Sequence, residues 1–297
     1  MDLVRKTILL YLMSLSLSTH ASIDIIRTGH QQFAKDINQE YNFRILEAAL
    51  KITEPEFGAY KIMVYGDGSI PKKRALNQIL KKDGFFNVVL VTTQPEWEEK
   101  AIPIRIPIRM GLLSYRLLLV HKDNADKFSQ LNTIEALKPI SVGLRKSWST
   151  WEVMQEQGFN VVNSYTYNSL FAMLEKKRFD YIPRGVYEVF EEVEFQSQAN
   201  PNIMIEPHIV MVLPTPYYAF VSPHAPRIAK RLNAGLEMMM EKGIIRDMLE
   251  LHYGYAIEQA KVNSRTVIQV ENKTLSDETP LDKKHYWLDL FSESSNL

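Results

Sequence analysis

From Ser22 onward, short apolar runs of strand period alternate with longer stripes of helical period. Ile23, Ile25 and Ile26 form a strand that Gly29 breaks. Tyr41, Ile45, Ala48, Ala49 and Ile52 then recur at helical spacing up to the Glu54-Pro55 pair. Tyr60–Tyr65 reads as a second strand, closed by Gly66-Asp67-Gly68. Ala75, Leu76, Ile79 and Leu80 mark a second helix with Asp83-Gly84 as its stop, and residues 85–91 a third strand ending at Thr92-Thr93. This βαβαβ rhythm predicts a parallel sheet with helices on both faces.

The pattern changes at residues 101–116, where prolines and a glycine interrupt an extended apolar run. A second alternating set follows over 117–213. Asn132 with Glu135, and Ser149 with Glu152, have capping-box spacing, so a helix is expected from near Thr150 to Gly158. Leu170, Phe171, Met173 and Leu174 make an apolar helical face. Phe179, Tyr181 and Ile182 return as a buried strand that Pro183 and Gly185 stop around Arg184. Leu213-Pro214-Thr215-Pro216 carries the chain back to a strand at Tyr217–Val221. A long amphipathic helix follows (Ile228, Leu232, Leu236, Met239, Met240), then a shorter one over 244–253. Residues 256–297 read as a polar tail that packs back on the body, with a strand-like piece at 266–270 and an aromatic cluster at Tyr286-Trp287. Extended crossings near 109–116 and 213–217 divide the chain into two α/β lobes joined by a two-strand hinge. The expected first lobe is 22–114 with 215–297, and the second is 115–214.

Composition narrows what such a molecule does. At 297 residues and 45% hydrophobic, the chain is long enough for one large domain or two lobes of ordinary size. Lysine plus arginine balances aspartate plus glutamate at 35 each, which argues against nucleic acid as a partner. The chain has no cysteine, so disulfides and thiolate chemistry are excluded. Arg5 and Lys6 precede an apolar run from Ile8 to Leu17, and Thr19-His20-Ala21 follows with small residues at the cleavage positions. Residues 1–21 therefore read as an export signal, and the remainder as a periplasmic protein not inserted in the membrane. The seven histidines share no ligand spacing, so neither a metal nor a cofactor is expected. Ser69-Ile70-Pro71-Lys72 matches S-x-x-K without its companion motifs and reads as a turn entering a helix. Lys72-Lys73-Arg74 reads as a solvated basic run.

The candidate chemistry is that of binding. Arg184 ends a buried strand, where ligands of open α/β sheets gather, and a guanidinium there suits a carboxylate or phosphate. Ser147, Trp148, Ser149 and Thr150 precede or open a helix whose N–H groups suit an anion, with Trp148 as a flat wall or a core residue. Thr92 and Thr93 offer hydroxyls at a strand end, or a plain turn. Trp97 and Trp151 line a pocket or the core. Arg105 and Arg109 lie in the first crossing, as hinge partners or ligand contacts.

The order of elements resembles the bacterial extracellular solute-binding proteins of family 3, of type II periplasmic binding fold, over about residues 22–255. The segment YYAFVSPHAPRIAKRLNAGLEMMMEKGIIRDMLELHYG is similar to that family's closing strand and helices. IPIRMGLLSYRLLLVHKD resembles its first crossing, ISVGLRKSWSTWEV the start of its second lobe, and LEKKRFDYIPRG its helix, basic turn and aspartate-led strand. The resemblance implies a monomer that closes two lobes on a small solute, without chemistry, for an inner-membrane ABC permease or a membrane sensor. Periplasmic dehydratase chemistry is also known on this fold. Amino-acid binders of the family carry an arginine after the third strand, where Trp97 falls here. They also carry an acid four residues after the strand's aspartate, and counting from Asp180 this chain has Arg184. The inverted sign implies an anionic solute rather than a zwitterion.

Overall fold

The computed structural model describes residues 23–29, 37–66 and 70–292. The signal-like segment 1–21 and Ser69 lie outside the described residues. Strands β1 (Asp24–Gly29) and β2 (Tyr60–Tyr65) pair in parallel, as the alternation predicts. Strand β3 (Val88–Thr92) lies beyond β1, and Asn87 stitches the two together. Its side chain accepts from the Arg27 N–H at 2.7 Å and donates to the Ile25 carbonyl at 2.8 Å. Strand β4 (Ile102–Ile104) and the returning strand β10 (Tyr217–Val221) complete this side, with β10 antiparallel to both β3 and β4.

The other side is a six-stranded sheet. Its members are β5 (Tyr115–His121), β6 (Val142–Leu144), β7 (Val161–Asn163), β8 (Tyr181–Gly185), β9 (Ile203–Val212) and β11 (Thr266–Gln269). Their order across the sheet is β11-β9-β5-β8-β6-β7. Pairing is parallel at the flanks and antiparallel where β5 meets β8 and β9. Every residue of β5 is buried, as a central strand covered on both faces requires.

On the first side, the helix Pro226–Glu241 crosses the helix Ile37–Ile52 so closely that a Cβ on Gly235 would meet the Ala49 carbonyl at 2.3 Å. That approach is the reason for a glycine in mid-helix. Arg231, one turn earlier, is fully buried. It binds Asp24 at 2.8 Å and reaches the Leu50 and Gly58 carbonyls and the Thr53 hydroxyl.

Three expectations are corrected here. The first crossing is a turn and a 3-10 helix (Leu112–Ser114), with Gly111 left-handed at φ 73°, rather than an extended strand. The second passes beside it. Leu213 N–H donates to the Ser114 carbonyl and Thr215 N–H to the Ser114 hydroxyl, so the crossings are fastened to each other. Neither capping box forms as spaced, because a side chain must first be placed at the N-cap. Thr133, not Asn132, caps its helix by accepting from Ala136 N–H. The helix Ser149–Glu156 starts one residue before Thr150, with Trp148 at its N-cap.

The tail does not stay with the first side. β11 adds a parallel strand to β9, an edge that offers unpaired backbone groups. The chain then returns, and Leu288 N–H donates to the Met110 carbonyl at 2.7 Å while Tyr286 hydroxyl binds Glu237. The tail thus straps both sides of the crossing. Sequence reading missed this because pairing partners of a four-residue strand are set by space, not by periodicity.

Candidate functional site in the cleft

The ends of β3, β5 and β8, the start of the helix Lys72–Ile79 and the start of the helix Ser149–Glu156 converge beside the crossings. Thr92 closes β3, and its hydroxyl accepts a hydrogen bond from Lys72 Nζ at 2.6 Å. Burial pulls the Lys72 ammonium down to about 8; Arg116 across the cleft adds to this, and Glu152 opposes it. Lys72 therefore is not part of a solvated basic run. It is the first residue of the helix Lys72–Ile79, with Pro71 at the N-cap, and its ammonium is held by Thr92.

Arg184 is buried at the end of β8, but its fork is already filled. Nε and Nη2 donate to the two carboxylate oxygens of Glu192 at 2.6 and 2.5 Å, and Glu188 lies 3.0 Å away. Its guanidinium carbon sits 4.4 Å from the centre of the Trp148 ring. Burial disfavours its charge, but Glu188 and Glu192 more than offset this and hold the guanidinium above its ordinary range. Burial pushes the Glu192 carboxyl up despite Arg184 and a Tyr167 hydroxyl at 2.7 Å. The expected open fork is thus a closed ion pair stacked on a tryptophan. The acids that close it stand at the N-cap and in the first turn of the next helix, Val189–Gln196.

The remaining candidates separate. Trp97 is 2% exposed and packs on Phe220 with ring centroids 5.3 Å apart, so it belongs to the core and forms no ligand wall. Trp151 is likewise core. Thr93 spends its hydroxyl on Glu98, which also binds Arg105 at 2.9 Å. Ser149 and Glu152 face Thr93 and Gln94 across a narrow gap beside Thr215 and Pro216. Ser147 is exposed and Thr150 buried. Arg109 is enclosed by the rings of Tyr41, Tyr187, Tyr217 and Tyr253 at 4.6 to 5.7 Å and bound to Asn42 at 3.0 Å, in the packing of the crossing.

Sequence reasoning missed Arg116. It sits on β5 opposite Gly185, on the face that carries Leu118 and Val120, while Arg184, opposite Leu117, points to the other face. Arg116 is 6% exposed and its Nε has no hydrogen-bond partner. Burial lowers its pKa, and Arg184 adds to that while Tyr187 and Glu188 oppose it. The available signal was a single charge inside the otherwise apolar run 115–120. Lys72 had one too: a cation at a helix N-terminus, where the dipole disfavours it.

No family model and no curated protein matches the sequence. Solved structures match it by shape. The probable amino-acid ABC transporter extracellular-binding protein of Bacillus subtilis superposes with TM-score 0.55 at 15% identity, over 78% of this chain and 97% of that one. A histidine kinase sensor domain with similarity to periplasmic binding proteins gives 0.51 at 13% identity, over 78% and 96%. An ancestral amino-acid-binding protein, a precursor of cyclohexadienyl dehydratase, gives 0.52 at 16% identity, over 77% and 95%. Among the described residues no helix is long and apolar enough to cross a membrane. The chain has the two-lobed fold of the periplasmic binding proteins that it matches.

Proposed function

We propose that this protein captures a small, anionic solute in the periplasm, in the cleft between lobes 22–114 with 215–265 and 115–214 with the tail strand. The carrying observation is that Lys72 is bound to Thr92 on one side and Arg184 is stacked on Trp148 on the other, with Arg116 near enough to act on the Lys72 charge and the two crossings fastened by hydrogen bonds. Such an arrangement lets closure assemble the site. Several structural neighbours are binding proteins, which supports capture without chemistry.

The captured solute is handed to an ABC-type permease or reported to a membrane sensor; the sensor-domain neighbour supports the second use. Native mass spectrometry of the chain recovered from periplasm tests capture. A small molecule retained one-to-one, with a more compact scattering profile than the stripped protein, is the expected result. A stripped and an as-isolated protein of identical mass and profile would overturn the reading. Cross-linking in the parent cells then separates permease from sensor.

A further inference from the structure

We infer that Lys72 and Arg116, rather than Arg184, form the grip that holds the solute's carboxylate or phosphate oxygens between the two lobes. The inference rests on the solute-capture reading and names the chemistry of its site.

Four buried guanidiniums and one ammonium must be accounted for. Arg231 is matched by Asp24 and by carbonyls. Arg184 is matched by Glu192 and Glu188. Arg109 is boxed by tyrosines and Asn42. Arg116 is as deeply placed as these. Among the described residues, however, it has no ion pair and no hydrogen bond, and its Nε is sealed from solvent. Lys72 has three N–H groups and one described acceptor, the Thr92 hydroxyl at 2.6 Å. A cation taken from water without a partner costs several kcal/mol in general. A bound anion is what recovers that cost at the moment of closure.

The surroundings fit this assignment. The groups that act on Lys72 are Arg116 and Glu152; those that act on Arg116 are Tyr187, Glu188 and Arg184. Glu188 is already 3.0 Å from Arg184, and Glu152 is exposed at the rim. Gly185, opposite Arg116, leaves room that the Tyr187 ring occupies, since a Cβ there would meet that ring at 2.2 Å. Two cations from opposite lobes, with Glu188 engaged by Arg184 and Glu152 at the rim, suit one anionic group of two or three oxygens. Arg184 then acts as a positioning residue, which sets Trp148 through its stack.

The test is calorimetric titration of the stripped chain at pH 7 and low salt. The probes are inorganic phosphate, succinate, benzoate, glutamine and arginine. The expected result is saturable binding of at least one of the three anions, weakened at least tenfold in Lys72→Met and in Arg116→Met, but not in Lys72→Arg. Phosphate against the two carboxylates distinguishes the oxygen source. Because either variant could misfold, wild-type protein is also labelled by reductive 13C-methylation. The Lys72 resonance, identified by its loss in Lys72→Arg, should titrate near pH 8 and move upward on adding the bound anion. Tight binding of glutamine or arginine unaffected by both variants would overturn the grip and leave solute capture standing. So would an anion that binds without moving the Lys72 titration. Binding of none of the probes overturns the grip; capture itself is then decided by the mass-spectrometric experiment.

Discussion

Arg231 and Arg116 are buried to similar depth in the two halves of the molecule, and the difference between them separates support from recognition. Arg231 lies between a helix and β1, and its guanidinium meets a carboxylate, three backbone carbonyls and a hydroxyl. Every proton has a use, so the residue acts as a bracket that holds β1 and the 54–59 loop to the helix Pro226–Glu241. Arg116 lies at the cleft end of β5 and meets none of these. A buried cation that is fully paired contributes to a fixed structure, whereas one left short of partners stores a cost that only an incoming group relieves. Arg184 falls on the bracket side of this division, although its sequence position announced it as a ligand contact.

The largest expected effect comes from breaking the bracket. Arg231→Met should cost about 3–5 kcal/mol, because it takes the fully buried arginine from Asp24, leaves that carboxylate only the half-exposed Arg227, and removes the hydrogen bond to the Gly58 carbonyl. Urea unfolding measures it, and a loss below about 1 kcal/mol would show the two arginines to be alike. Arg184→Met should come next, at about 2–4 kcal/mol, from uncompensated Glu192 and a loosened Trp148. Its thermal midpoint should fall more clearly than its solute affinity. Arg116→Met is expected to leave stability unchanged or raise it by about 1 kcal/mol, since it removes an unpaired buried charge. A destabilisation matching that of Arg231→Met would place Arg116 among the brackets.

The pH response sharpens the same contrast. Lys72 ionises at about 8 in the fold against an ordinary 10.5. Between those values the unfolded chain holds a proton that the fold has lost, so the Lys72 contribution to stability rises with pH across that window. Below about 8 both states are protonated, and the cost of burying the ammonium is present in full. Anion binding has the opposite sign. Affinity should fall by up to tenfold per pH unit above about 8, and a flat profile from pH 7 to 10 would remove Lys72 from the grip. The smallest effect concerns the strap. Tyr286→Phe removes the hydroxyl bound to Glu237 and should cost about 1 kcal/mol in thermal unfolding.

Much of the fold was legible in the chain. Helical stripes such as Tyr41, Ile45 and Ala49, and strands such as Tyr60–Tyr65, are local patterns, and they emerge where the spacing places them. The candidate site was legible only in part. Thr92 and Trp148 do lie at the cleft, but Trp97 is interior and the Arg184 fork is filled. The acids that fill it, Glu188 and Glu192, lie four and eight residues beyond, at the N-cap and in the first turn of a helix to which the sequence reading assigned no element. Whether they face Arg184 or solvent depends on the rotation of that helix, which no local pattern fixes.

By itself the sequence determined the alternating elements, the two interruptions that part them, and the chemistry of the available side chains. Hydrophobic period and turn residues act over a few positions, and those ranges suffice for such features. Only the tertiary structure decided which cations are neutralised, that the tail joins β9 before returning to the crossing, and that Arg116 comes near enough to Lys72 to act on its charge. Charge compensation is a matter of which groups come within a few ångströms once distant segments pack, and two residues 44 positions apart acquire that relation only when the lobes meet.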